Sequence, residues 1–379
     1  MSERKKIILS VLITFLATSV MFGAFNLSHR STLDDVEAIV KSHYIEGYDK
    51  KEFEEYSALG AVASLGDPYS EYFNEENYES FMSSITGSYR GIGIEVFLNE
   101  NSEVQISSVL DATPAEEAGL RENDILLTAD GFEVSADTYN EAIMRIRGKD
   151  DDDDEVLLTV RRGEEELDIT VKRTDITVNT VFTNDVDEFK YIRISTFSTE
   201  TADEFKDALK DVPDSCPGLI IDLRGNPGGF LDVVIKIADW LLPEGKIVYT
   251  QTRQGKQRVY NSDEYYIDTP IVILTDSGSA SASEILSGAV KDHKRGILVG
   301  EKTFGKGCVQ EIFRLRNGGA LKLTTEYYYT PSGVCIQGTG IEPDIEVSLP
   351  EEALNTPLSK LPYEQDTQLQ KAVEILKGK

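Results

Sequence analysis

The spacing of apolar side chains divides the chain into three textures. Over 32–65, Leu33, Val36, Ile39 and Val40 recur at three-to-four intervals, and Ala58, Leu59, Val62 and Leu65 continue such a face after Tyr56. That period predicts amphipathic helices. Gly66-Asp67-Pro68 breaks the run, and 74–82 predicts another short helix. From about Ile85 strands dominate: Val104, Ile106 and Val109 mark one, and 156–160 with 167–171 predict a hairpin around Arg162-Gly163. A short helix stopped by Gly119 and an amphipathic helix over 139–147 interrupt them. Beyond 174, two strands that read as buried, 219–223 and 271–274, each enter a loop of small residues and then a helix. Strands alternating with helices predict an α/β unit with a mainly parallel sheet.

In the middle region, Tyr89-Arg90-Gly91-Ile92-Gly93-Ile94-Glu95-Val96 begins a strand with two glycines where a side chain would obstruct. The order of elements over roughly 85–173 resembles a PDZ domain of the bacterial protease type. The resemblance implies a groove between a strand and a helix that accepts a peptide carboxyl end by strand addition. Arg90, Gly91, Ile92, Gly93 and Ile94 are the candidate peptide-binding residues. Backbone N–H groups must converge there on a carboxylate without side chains in the way, and Arg90 offers a charged partner.

Charge and composition narrow the function. The 379 residues carry 38 Lys+Arg against 67 Asp+Glu, a net charge of −29, which argues against nucleic acid as a partner. The acidic run 150–155 lacks the turn-forming glycine and spaced oxygens of a calcium loop and is expected to be solvated. Cys216, Cys308 and Cys335 form no CxxC pair, so neither a disulfide framework nor a zinc site is expected, and no metal or cofactor is implied. Arg4, Lys5 and Lys6 precede the uncharged stretch 7–29. This predicts a signal peptide or membrane anchor over 1–30, with a retained anchor favoured over cleavage, and an extracytoplasmic remainder.

The chemistry is expected in 174–348. The loops Arg224-Gly225-Asn226-Pro227-Gly228-Gly229 and Ser277-Gly278-Ser279-Ala280-Ser281-Ala282-Ser283-Glu284 both follow buried strands, where parallel sheets place ligand sites. Neither contains a phosphate-binding glycine motif. A third element, Gly305-Lys306-Gly307, encloses a lysine in a short turn before a strand. A lysine acting as a base must be desolvated so that its pKa falls. Serine needs a neighbour to take its proton, and Ser–Lys pairs are an alternative to the histidine triad. His293 is the one histidine outside the N-terminal arm, at a charged helix end where capping is the expected role. By composition Ser279 and Ser283 rival Ser281 as nucleophile, with Ser283 better placed as a cap.

These three motifs, with Gln310 after Lys306, Tyr329-Thr330-Pro331 and Gly340-Ile341, closely resemble the carboxyl-terminal processing peptidases over about 32–348. The resemblance implies Ser281 as nucleophile, Lys306 as general base and Gln310 as the residue that orients the lysine. It places the oxyanion on the backbone N–H of Ala282 and of a glycine in the 228–229 pair, Gly228 favoured. It also implies a crotonase/ClpP-like α/β spiral protease domain with an inserted PDZ domain and a helical N-terminal arm. The expected layout is 1–30 signal or anchor, 31–84 helical region, 85–173 PDZ domain, 174–348 serine protease domain and 349–379 helical tail. Substrates would be proteins or peptides with free C-termini, captured by the PDZ domain, which could also gate the site. Two copies could pair through the helical N- and C-terminal regions. A non-catalytic peptide-binding scaffold and an acyl-CoA enzyme are the competing readings of the same fold.

Overall fold

The computed structural model describes residues 31–110, 113–148, 154–213, 215–354 and 356–378, together with position 14. The stretch expected to carry the export signal thus lies outside the described residues, as does most of the acidic run. Among the described residues no helix is long and apolar enough to cross a membrane.

The arm opens with α1 (Thr32–His43) and α2 (Lys50–Ala63). Ser31 caps the first by accepting from the Asp34 N–H at 3.2 Å, and Asp49 caps the second by accepting from Glu52 N–H at 2.9 Å. Neither helix buries a residue, so the apolar period seen in the sequence stays largely on the surface, with Ile39 61% and Tyr56 66% exposed. After the break at Gly66, β1 (Glu71–Phe73) and α3 (Glu75–Thr86) follow.

The inserted unit runs through β2 (Ser88–Gly91), β3 (Ile94–Leu98), β4 (Val104–Val109), α4 (Pro114–Glu117), β5 (Ile125–Ala129), β6 (Phe132–Glu133), α5 (Tyr139–Arg147), β7 (Glu155–Arg162), β8 (Glu165–Lys172) and β9 (Thr174–Thr177). Its antiparallel sheet has the order β3-β4-β5-β7-β8, with β6 on β5. Val156, Leu158 and Val160 of β7 point into a core shared with Ile106, Leu126 and Ile146, as the period of two requires. Arg173 is buried and closes this unit: its guanidinium donates to the carbonyls of Ile146 at 3.0 Å and Arg145 at 2.7 Å, satisfying the end of α5. β2 and β9 pair antiparallel, Ser88 opposite Thr177, so the chain enters and leaves the unit side by side.

The remaining chain forms β10 (Val181–Val186), β11 (Phe189–Ile194), α6 (Thr201–Lys210), β12 (Leu219–Asp222), α7 (Leu231–Leu241), β13 (Gly245–Thr252), β14 (Gln257–Ser262), β15 (Ile271–Thr275), α8 (Ala282–Asp292), β16 (Gly296–Gly300), β17 (Cys308–Arg314), β18 (Ala320–Tyr329), β19 (Ile345–Glu346) and α9 (Thr367–Lys377). One sheet has the order β10-β11-β12-β15-β16-β19 and is parallel except at β10. β12 and β15 are buried on both faces, which is why they read as apolar runs broken only at their C-terminal ends, by Asp222 and Thr275. Leu219, Ile221, Ile271 and Ile273 face α6, α7 and α8, whereas Ile220, Val272 and Leu274 face α9. Each such fully buried aliphatic side chain contributes about 1.5–3 kcal/mol. A second sheet joins β1, β18, β13 and β14, with β17 also on β18. The arm therefore supplies a strand to this second sheet, Glu71 opposite Lys322 and Phe73 opposite Ala320.

Candidate active site

The loops after β12 and β15 are cross-bonded. Asp276 Oδ1 accepts from the N–H of Gly225 at 2.8 Å and of Gly278 at 2.9 Å, and the Ala280 N–H donates to the Asn226 carbonyl at 2.9 Å. The three rival serines separate on this framework. Ser279 is buried and donates to the Leu223 carbonyl at 2.8 Å; Ser283 is buried and donates to the Asn226 carbonyl at 3.0 Å. Ser281 is half-buried and stands at the N-cap of α8 with φ 53° and ψ −111°. A non-glycine residue in that region is strained by about 1–3 kcal/mol, a conformation typical of nucleophiles raised on a strand-to-helix turn. Gly228 lies against it: a Cβ there would stand 2.7 Å from Ser281 Cβ and 2.8 Å from the Ala280 carbonyl.

Glu284 holds the serine and lysine segments together. Its Oε2 accepts from the N–H groups of Ser281 and Lys306, both at 2.9 Å. Its Oε1 accepts from the Gly305 N–H at 2.8 Å and the Thr303 hydroxyl at 2.6 Å. Burial pushes this carboxyl above its usual range even though these bonds oppose the rise. The Tyr328 hydroxyl, also buried, sits between the carbonyls of Ser281, at 2.9 Å, and Lys306.

Burial lowers the Lys306 pKa from its ordinary value, as a base requires; Cys308, Glu284 and Asp67 oppose the fall and Lys322 adds to it. Its Nζ lies over the Tyr69 ring, 5.3 Å from the centroid, and no hydrogen bond among the described residues joins it to Ser281 Oγ. Gly307 next to it is dictated by packing, since a Cβ would stand 2.4 Å from the Gln337 nitrogen.

Three of the residues expected in the sites have other partners in the structure. Gln310 makes no hydrogen bond to the lysine among the described residues: its amide donates to Cys308 Sγ at 3.1 Å and reaches Thr324 Oγ1 at 3.5 Å, and it lines the cavity beside Ser281. The Gly228 N–H, the favoured oxyanion donor, donates here to Asn226 Oδ1 at 2.8 Å. Gly229 and Ala282 instead line a cavity of about 140 Å³ beside Ser281, walled by Phe230, Leu231, Ile285 and Val309. As the first residue of α8, Ala282 has an N–H outside the intrahelical ladder. Finally, Arg90 donates to Asp154 at 3.1 Å and is not among the residues lining the groove between β3 and α5.

That groove, about 750 Å³, runs between β3 and α5 and is lined by Gly91, Ile92, Gly93 and Ile94. Arg147 is the arginine that lines it. Helix α3 of the arm adds Glu76, Asn77 and Ser80 as a third wall. His293, at the far end of α8 from Ser281, is about 18 Å away along the helix. It bonds the Lys246 carbonyl at 2.8 Å, which removes it from any triad.

Comparison with known proteins places these features. Residues 188–347 match the model of peptidase family S41 and 91–172 that of the PDZ domain. A carboxy-terminal-processing protease of Bartonella bacilliformis is 36% identical over 366 residues, covering 91% of this chain and 83% of that protein. A probable CtpA-like serine protease of Staphylococcus aureus (strain COL) is 35% identical over 363 residues, covering 91% of this chain and 72% of its own length. The solved photosystem II D1 C-terminal processing protease aligns over 88% of this chain and 90% of its own, with a TM-score of 0.52 and 28% identity.

Proposed function

The chain belongs to peptidase family S41 and is a carboxy-terminal-processing serine protease, and on that premise we propose that Ser281 and Lys306 are its catalytic dyad. Ser281 Oγ attacks the carbonyl carbon of the scissile peptide while neutral Lys306 Nζ takes its proton. The N–H groups of Ala282 and Gly229 receive the oxyanion. Collapse returns the proton from Nζ to the leaving amine, and Lys306 then activates the water that releases the acyl group from Ser281. The observation that carries this reading is the Glu284 carboxylate, which binds the backbone of both residues at 2.9 Å and brings them to one place. Nζ must still swing from Tyr69 to Oγ, and catalytic hydrogen bonds commonly tighten only with substrate bound. The cavity beside Ser281 is sized for a small aliphatic side chain at the cleaved bond.

Substrate capture is assigned to the groove of the PDZ domain, which would take the free carboxyl end at Gly91–Ile94 and lay the preceding residues along β3. We extend the reading to an extracytoplasmic enzyme held at a membrane by 1–30, and to pairing of two copies through the exposed apolar faces of α1 and α2 and the C-terminal region. Size-exclusion chromatography with light scattering tests the pairing, and a monomer at all concentrations rejects it. For the dyad, Ser281→Ala and Lys306→Ala should each abolish cleavage of labelled casein with the fold retained, and the double variant should be no worse than either. Near-normal turnover by Lys306→Ala rejects the assignment.

A further inference from the structure

We propose that Tyr69 of the N-terminal arm is a positioning residue for Lys306, whose ring seats the protonated ammonium and lets it go to Ser281 as the neutral amine. The proposal rests on the assignment of Lys306 as the base. Nζ stands 5.3 Å from the Tyr69 centroid, within reach of a cation–π interaction. The charged and titratable groups facing Nζ are Asp67 from the arm, Glu284 from α8, Cys308 from β17 and Lys322 from β18. None of them is a close partner. Both oxygens of Glu284 are engaged by three N–H groups and the Thr303 hydroxyl. Asp67 accepts from the Tyr69 N–H at 3.1 Å and the Ser70 hydroxyl at 2.6 Å.

The ring itself is fixed from two sides. The turn 67–70 is tied to β18 through the Thr324 N–H, which donates to Ser70 Oγ at 3.1 Å, and β1 then pairs with β18 along its length. On the other side, the Gln337 side chain meets the Tyr69 hydroxyl and accepts from the N–H of Gly307, the residue after Lys306, at 2.8 Å. A segment more than two hundred positions upstream is thus built into the wall of the lysine. A π face attracts the cation and has no comparable hold on the free amine. Deprotonation therefore releases Nζ at the moment when it becomes competent as a base.

Labelling of Ser281 by a fluorophosphonate tests this on the full chain, because the probe reads the nucleophile without needing the peptide groove. The rate is followed from about pH 6 to about pH 11, across the titration of a perturbed lysine. Tyr69→Leu keeps apolar cover but removes the π face, so the protonated form loses its seat and the midpoint of the rising limb falls by about 0.5–1 pH unit. Tyr69→Phe should keep the wild-type midpoint. Tyr69→Ala admits water and should move it upward, toward the ordinary lysine value of about 10.4. Tyr69→Met repeats the downward test should the leucine variant fail to fold. A Leu or Met variant that folds and keeps the wild-type midpoint overturns the proposal, whatever its loss of rate. Lys306→Ala, run alongside, separates the two readings. If it labels with the wild-type limb, the dyad assignment fails and takes this proposal with it; if it loses the limb while Tyr69→Leu is unshifted, the Tyr69 proposal alone fails.

Discussion

Glu284 is the residue whose chemistry is most exposed to a single-atom change. It accepts four hydrogen bonds with two oxygens, and all four donors are N–H or O–H groups that have no other use for their protons there. Glu284→Gln keeps the shape but turns one acceptor into an NH₂ group, which must face two donors. Each unsatisfied buried donor costs about 1–3 kcal/mol, and displacement of the catalytic groups by an ångström costs about 10²-fold in rate. The variant is expected to fold with a lowered melting temperature and to lose about 10²-fold in kcat; an unchanged kcat would reduce Glu284 to a bystander. The second expectation at this scale concerns pH. Burial depresses the Lys306 pKa, and only the neutral amine can take the serine proton. The rate should therefore rise with pH to a plateau whose midpoint lies below the ~10.4 of a free lysine. A rate that falls as pH rises through that range would contradict a lysine base.

Among the elements, α9 and the glycine-bearing loop after β12 are joined by a buried charge cluster. Arg224, 1% exposed, donates to both oxygens of Asp222, at 2.6 and 3.0 Å, and to both oxygens of Asp366 at the N-cap of α9, at 2.8 and 2.9 Å. Burial pushes the Asp222 carboxyl up, but the Arg224 charge outweighs it and holds the carboxyl below the usual range. Because that value is depressed, the ionised form adds stability above the unfolded pKa of about 3.9, and the gain is lost as pH falls through the folded value. Removing one partner leaves a buried guanidinium half paired, at a cost of about 3–5 kcal/mol. Asp366→Ala should therefore lower the urea midpoint sharply and loosen the 224–229 loop; denaturation monitored by circular dichroism checks the first, and a loss in kcat larger than any change in KM checks the second. This cluster also marks the limit of what the sequence could disclose. The helices 139–147 and 231–241 and the paired loops at 224–229 and 277–284 follow from local period and small-residue content. Asp366, Tyr328 and Tyr69 approach the site from remote segments, and no local period reports such pairings. The direction of the Gly228 N–H depends on the Asn226 side chain, which composition does not report. Glu284 had a local signal in the Ser281-x-x-Glu284 spacing of a helix start, but its hold on Gly305 and Lys306 did not.

At the scale of the whole molecule, the groove of the PDZ domain and the protease body share the arm. Helix α3 walls the groove through Glu76, Asn77 and Ser80, while its other face packs through Tyr78 and Phe81 against Phe73 of β1, a strand of the catalytic sheet. A peptide entering the groove therefore meets an element that is continuous with the turn bearing Tyr69. If the filled groove favours the open site, as a gate requires, deletion of residues 92–173 with β2 and β9 joined by a short turn should speed the cutting of short unstructured peptides. Tail-bearing proteins should be cut more slowly, since the tether that raises their local concentration is gone. Parallel assays of a quenched peptide and a folded protein with an unstructured tail measure both effects, and equal rates before and after deletion would leave the domain without a part in the reaction.

The pairing of β2 with β9 also bears on how such an enzyme can be rebuilt. Two antiparallel neighbours run about 4.8 Å apart, so the strands from Ser88 to Gly91 and from Thr174 to Thr177 form a socket with two adjacent contacts. Any compact module whose own termini lie next to each other fits that socket without stretching the host. Recognition and hydrolysis are thereby modular in a mechanical sense: a phosphopeptide reader or a single-domain antibody could be grafted at the same two strands, redirecting one unchanged blade to a new class of target.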